Sequence, residues 1–104
     1  MDYMQWQKMA NLVFEIDKKV LSKDEQPALQ RIYDKMKQLV EENGVFTYNP
    51  KGEKYNETRT DVEASISGNS TNNLVITDVI KPILYIEENG KKIMIQKGIV
   101  IVGQ

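Results

Sequence analysis

Apolar residues follow two different periods along this chain, first helical and then extended. From Met1 to about Ser22, residues Trp6, Met9, Val13, Ile16 and Val20 recur at heptad spacing, which predicts an α-helix. Ala10, Phe14 and Leu21 lie beside that seam and widen it, so the helix needs more than one neighbour to cover it. The polar run 22–26 breaks the pattern, with Asp24 or Gln26 placed to cap a second helix and Pro27 suited to its first turn. Leu29, Ile32, Tyr33, Met36, Leu39 and Val40 then mark one face out to Glu42, and Asn43-Gly44 supplies the stop.

After Gly44 the period shortens to two. Val45–Tyr48, Val62–Ser67 and Leu74–Ile80 read as strands, with Asn49-Pro50-Lys51-Gly52 as a turn and 68–73 as a polar loop. Asn89-Gly90 predicts a tight hairpin, because a two-residue type I′ turn needs positive φ at both positions. Folding there sets Glu88 against Lys91, Glu87 against Lys92, Ile86 against Ile93, Tyr85 against Met94 and Leu84 against Ile95. Leu84, Ile86, Ile93 and Ile95 would then face a core, and Ile83, Tyr85, Met94 and Gln96 a mixed surface. Gly98 suggests a bulge or bend, and Ile99–Val102, apolar on both faces, must be covered.

The fold expected is α+β: an antiparallel helical hairpin over 1–43, then a small, mostly antiparallel β-domain over 44–104, either a sheet or a partly closed barrel. One hairpin cannot cover its own first helix. Two hairpins from two chains, packed as a dimeric four-helix bundle, can. A homodimer is therefore expected, joined through Trp6, Met9, Val13, Ile16, Val20, Ile32 and Met36.

Composition narrows the chemistry. The 104 residues include no cysteine and no histidine, which removes disulfides, thiolate chemistry and the commonest general base and metal ligand. A net charge of −1 with interspersed signs argues against nucleic acid and anionic membranes as partners. Asp2, Lys8, Glu15 and Asp17 interrupt any signal-peptide pattern, so a cytoplasmic protein is expected. The best carboxylate group, Asp61 and Glu63 with Glu53 and Glu57 nearby, reads as solvated surface rather than as an acid–base pair. Asn56 and Asn69 fall in N-x-[ST] triplets, a weak signal. No enzyme, cofactor or metal site is expected, and the working surface is expected on the sheet or its loops.

The order of these segments resembles the C-terminal part of the GrpE family, nucleotide exchange factors of DnaK-type chaperones. The resemblance is carried by Ile16-Asp17, by Leu39-Val40-Glu41-Glu42-Asn43-Gly44-Val45 at a helix end, and by Gly52–Asn56 against the family's "G-x-x-FDP". It continues through Asp61–Ala64 near "HEAV", Val79–Ile83 at "LQKGY", Asn89-Gly90-Lys91 at "NGR", and 92–103 against "RVLRPAKVVVG". The chain departs from the family at the "HEAV" histidine, at Asn56-Glu57, Pro82-Ile83 and Lys97-Gly98, and in holding little of the family's long N-terminal helix. The resemblance implies binding to the chaperone's nucleotide-binding domain and faster ADP release. The positions it carries over to the partner-facing surface are Ile80, Lys91 and Val102. The alternative is a protein-interaction module unrelated to nucleotide exchange, or one that has lost it.

Overall fold

The structure, a computed structural model, describes residues 2–21, 27–69 and 72–104, and for Val20 and Leu21 the backbone alone. The expected polar break at 22–26 with its capping residues, part of the 68–73 loop, and the Val20 side chain lie outside the described residues. The chain divides into two compact units, Met1–Phe46 and Thr47–Gln104.

In the first unit, helix α1 spans Tyr3–Ile16 and continues as a π-helical turn over Asp17–Leu21. Asp2 starts it with a capping box: its carboxylate accepts from Gln5 N at 3.0 Å, and the Gln5 side chain accepts from Asp2 N at 3.3 Å. The π turn was not expected, and its wider winding breaks the continuous 3.6-residue period that the seam assumed. Helix α2 spans Pro27–Glu42. It ends where Asn43 N–H reaches Val40 O at 3.1 Å and Gly44 N–H reaches Glu41 O at 2.9 Å, with Gly44 at φ +89°. Ala10, Val13, Phe14 and Val40 are the buried apolar residues of these helices.

Among the described residues the second period produces six strands: β1 (Val45–Tyr48), β2 (Val62–Ile66), β3 (Val75–Lys81), β4 (Ile83–Glu88), β5 (Lys91–Gln96) and β6 (Gly98–Gly103). They form two three-stranded sheets, ordered β1-β4-β5 and β2-β6-β3. The expectation of a mostly antiparallel domain needs one correction: β2 pairs with β6 in parallel, Val62 opposite Gly98 through Ile66 opposite Val102.

The chain changes sheets three times, through the 49–61 segment between β1 and β2, at Pro82 between β3 and β4, and at Lys97 between β5 and β6. A residue without an N–H suits such a crossing, since it leaves no ladder donor orphaned. Gly98 serves there as a point of close approach rather than a bulge. A Cβ at Gly98 would lie 3.0 Å from Ile83 Cγ1 and 3.2 Å from Val62 Cγ1, so the missing side chain lets the two sheets meet. Ile76, Val79, Ile83, Leu84, Val100 and Val102 form the centre of this core.

The 49–57 segment does more than the sequence suggested. Gly52 N–H donates to Ile76 O at 2.8 Å, Ile76 N–H to Glu53 O at 2.9 Å and Tyr55 N–H to Leu74 O at 2.9 Å. Together with the Lys54–Val75 antiparallel bridge, these bonds satisfy the outer edge of β3. The turn closes one residue later than expected, Glu53 N–H on Pro50 O at 3.1 Å, with Gly52 at φ +88°.

Candidate protein-binding surface

Strand β3 is irregular in a way that re-aims its side chains. Ile76 pairs with Val102, Asp78 with Ile101, Val79 with Val100 and Lys81 with Ile99, with register shifts at Thr77 and Ile80. Each bulge adds a residue to β3 that has no partner on β6. The core keeps Ile76 and Val79, and Ile80 is left 49% exposed. Ile80, the end of the strand expected over Leu74–Ile80, is taken out of the core by the bulge. Alternation along β2 and β6 puts Glu63, Ser65, Ile99 and Ile101 on the face away from Val100 and Val102, with Asp78 and Lys81 alongside. Ile99 and Ile101 are half-buried and the residues around them are polar. An apolar centre with a charged rim is the ordinary anatomy of a protein contact.

Lys91 sits elsewhere in the unit, exposed at the start of β5 and opposite Glu88. The hairpin follows the expected register from Glu88–Lys91 to Tyr85–Met94, with Asn89 at φ 52° and Gly90 at φ 78°. Beyond Tyr85 the register slips, placing Leu84 opposite Gln96 instead of Ile95. Gln96 then reaches back to donate to Pro82 O at 2.8 Å, which ties the slip to the sheet crossing. Ile83, expected on the mixed surface, is in the core, and Ile93, expected in the core, is exposed although its pairing with Ile86 is as expected. Val102, the third position carried over from the resemblance, is fully buried and offers no surface of its own.

Sequence reading missed the organising role of Arg59. Its guanidinium forks onto Asp61, Nε to Oδ1 at 2.7 Å and Nη2 to Oδ2 at 3.2 Å, and also meets Glu53 Oε1 at 2.8 Å and Lys54 O at 3.1 Å. The Tyr48 hydroxyl donates to the other oxygen of Glu53. Asn56 shapes the loop, its carbonyl oxygen accepting from Thr58 N at 3.0 Å while Arg59 N–H closes on Asn56 O at 3.1 Å. The hydrogen bond from Tyr48, and secondarily Arg59, holds the Glu53 carboxyl below the usual carboxylate range. That is the opposite of what a general acid needs. Glu57 and Glu63 are exposed, so the acids of this stretch divide between an ion-paired strap and open surface. The only sequence signal was a lone arginine between acids, which is common on surfaces.

An open groove of about 640 Å³ lies between the 54–57 segment, β2 and residues 72–75. Among the described residues no group of three or more acids is gathered as for a metal ion, and no helix is long and apolar enough to cross a membrane.

Of the positions expected to join two chains, Val13 is buried; Trp6, Met9 and Met36 are half-buried; Ile16 and Ile32 are exposed. Leu12, Ile32 and Leu39 stand 55%, 54% and 53% exposed. Tyr33 is half-buried beside this open face, and its hydroxyl is pushed up to about 12 by burial and by the carboxylates of Asp17, Asp34 and Glu41.

Set against family models, curated proteins and solved structures, the chain matches none of them.

Proposed function

We propose that this chain is a GrpE-like co-chaperone that acts as a homodimer, binds the nucleotide-binding domain of a DnaK-type chaperone and promotes ADP release. The order of elements supports the reading: two helices, the second closed by Asn43-Gly44, then short strands with an Asn-Gly hairpin between β4 and β5. The observation that carries it is Ile80, an isoleucine turned out of its own core by a bulge at a position the resemblance assigns to the partner. Such a residue costs stability where it stands and gains by meeting another apolar surface.

The mechanism is a population shift. A surface that fits the opened nucleotide-binding domain better than the closed one favours opening, and ADP leaves from the open form. Each tenfold acceleration asks for about 1.4 kcal/mol of preference for the open geometry. Fully burying an exposed Leu or Ile side chain supplies about 1.5–3 kcal/mol, and Ile80, 49% exposed, has about half of that left to gain, on the order of one tenfold step. The second copy is supported by the open apolar positions on α1 and α2, and it would present two β units to the partner.

The test is release of fluorescent ADP from a DnaK-type chaperone with excess unlabelled nucleotide. The chain should accelerate release, and Ile80→Asp, with its fold verified by circular dichroism, should abolish the acceleration. No acceleration by the native chain refutes exchange activity. Equal acceleration by Ile80→Asp removes Ile80 from the contact. Binding without acceleration leaves an interaction module.

A further inference from the structure

The chain holds two Asn-Gly dipeptides, at Asn43-Gly44 and Asn89-Gly90, and the fold treats them oppositely. Asn-Gly is the dipeptide most open to self-attack, because no Cβ on the following residue shields its backbone nitrogen. At the end of α2 both reacting groups are engaged. The Asn43 amide donates Nδ2–H to Leu39 O at 2.8 Å, which holds the carboxamide back along the helix. The would-be nucleophile, Gly44 N, donates to Glu41 O at 2.9 Å. Attack there requires both bonds to break and the helix end to unwind.

At the hairpin tip the restraint is missing. Asn89 and Gly90 are both exposed, and no hydrogen bond holds the Asn89 side chain among the described residues. The tip lies at the end of the β4–β5 ladder, where local opening costs least. Asn89 already sits at φ 52°, a backbone region that an L-residue leaves readily when its turn opens.

We infer that Asn89 is a site of spontaneous deamidation in the folded protein and that Asn43 is protected from it. In the step, Gly90 N loses its proton and attacks Cγ of Asn89. The Cγ–Nδ2 bond breaks, Nδ2 leaves as ammonia, and a five-membered succinimide forms. Water then opens the ring at either carbonyl, giving aspartate or isoaspartate. Aspartate adds one negative charge between Glu88 and Lys91. Isoaspartate adds a backbone carbon to the turn, which no longer fits a two-residue hairpin, so the Glu88–Lys91 pairing is lost. The inference stands apart from the proposed function and does not depend on it.

The test is incubation of the full chain at neutral and mildly alkaline pH, followed by peptide mapping with mass spectrometry and isoaspartate detection. A parallel sample is kept in concentrated urea. In urea the two sites should react at similar rates, since only sequence then governs them. In the native protein Asn89 should convert, faster at the higher pH, while Asn43 lags well behind. Native Asn43 converting as fast as Asn89 overturns the inference. So does a native Asn89 that stays intact over the period in which both sites convert in urea.

Discussion

Replacing Gly98 by alanine tests how the two sheets are joined. The added methyl carbon would sit 3.0 Å from Ile83 Cγ1, 3.2 Å from Val62 Cγ1 and 3.5 Å from Lys81 O. Ile83 and Val62 are both buried, and Lys81 O is backbone, so none of the three can swing aside into solvent. Overpacking of this kind costs about 1–3 kcal/mol. Gly98 does not occupy the left-handed region, so alanine also gains about 0.4–1 kcal/mol from a less flexible unfolded chain. The net expectation is a loss of about 1–2 kcal/mol, which at an ordinary urea dependence lowers the unfolding midpoint by about 0.5–1 M. The assay is equilibrium urea unfolding followed by circular dichroism, comparing native and Gly98→Ala proteins at matched concentration. Val62→Ala placed on top of Gly98→Ala should cost less than Val62→Ala alone, because it vacates the space the new methyl needs. A neutral or stabilising Gly98→Ala, with additive behaviour in the double variant, would refute the close approach.

Arg59→Ala should destabilise the β unit by about 1–2 kcal/mol, between the values for exposed and buried pairs, since the Arg59 side chain is only 17% exposed. Arg59→Lys should restore part of the loss, an ammonium being unable to fork onto Asp61, and urea midpoints will rank the three proteins. The depressed Glu53 carboxyl adds stability that is complete above its unfolded value of 4.5 and is lost as pH falls through the lower folded value. Tyr48→Phe, which removes the larger cause of that depression, should flatten acid unfolding of the β unit. At the other end of the scale, the raised Tyr33 hydroxyl adds stability that is whole below pH 10.0 and is lost as pH rises through about 12. Tyr33→Phe should therefore retain more helical signal than the native chain over that window.

The elements legible in the sequence are those specified by neighbouring residues. Pro27 opens α2, Asn43-Gly44 closes it, and Asn89-Gly90 sets the hairpin register as far as Tyr85–Met94. Beyond that pair the register depends on where the chain leaves its sheet. The slip at Leu84 accompanies the bond from Gln96 to Pro82 O, a contact fourteen residues apart in sequence that no local pattern marks. The parallel pairing of β2 with β6 was hidden for the same reason, since it joins Val62–Ile66 to the far end of the chain and period-two alternation is blind to direction. Ile80 was ambiguous because an isoleucine in a strand reads as core until the bulges around it are known. Arg59 was missed because Glu53 and Lys54, six and five residues before it, are brought to it by the loop rather than by any helix or strand period.

The central claim is a second copy covering exposed apolar residues of α1 and α2. Three of the residues involved, Leu12, Ile32 and Leu39, are just over half exposed, and each would gain about 1–1.5 kcal/mol on full burial, half of the value for a fully exposed side chain. The most direct measurement is sedimentation equilibrium of the full chain, native and Ile32→Asp, across a concentration series. The account predicts a native dimer and an Ile32→Asp monomer that keeps its helical content, because Ile32 supports little within its own chain. A native protein that sediments as a monomer throughout the series would contradict it.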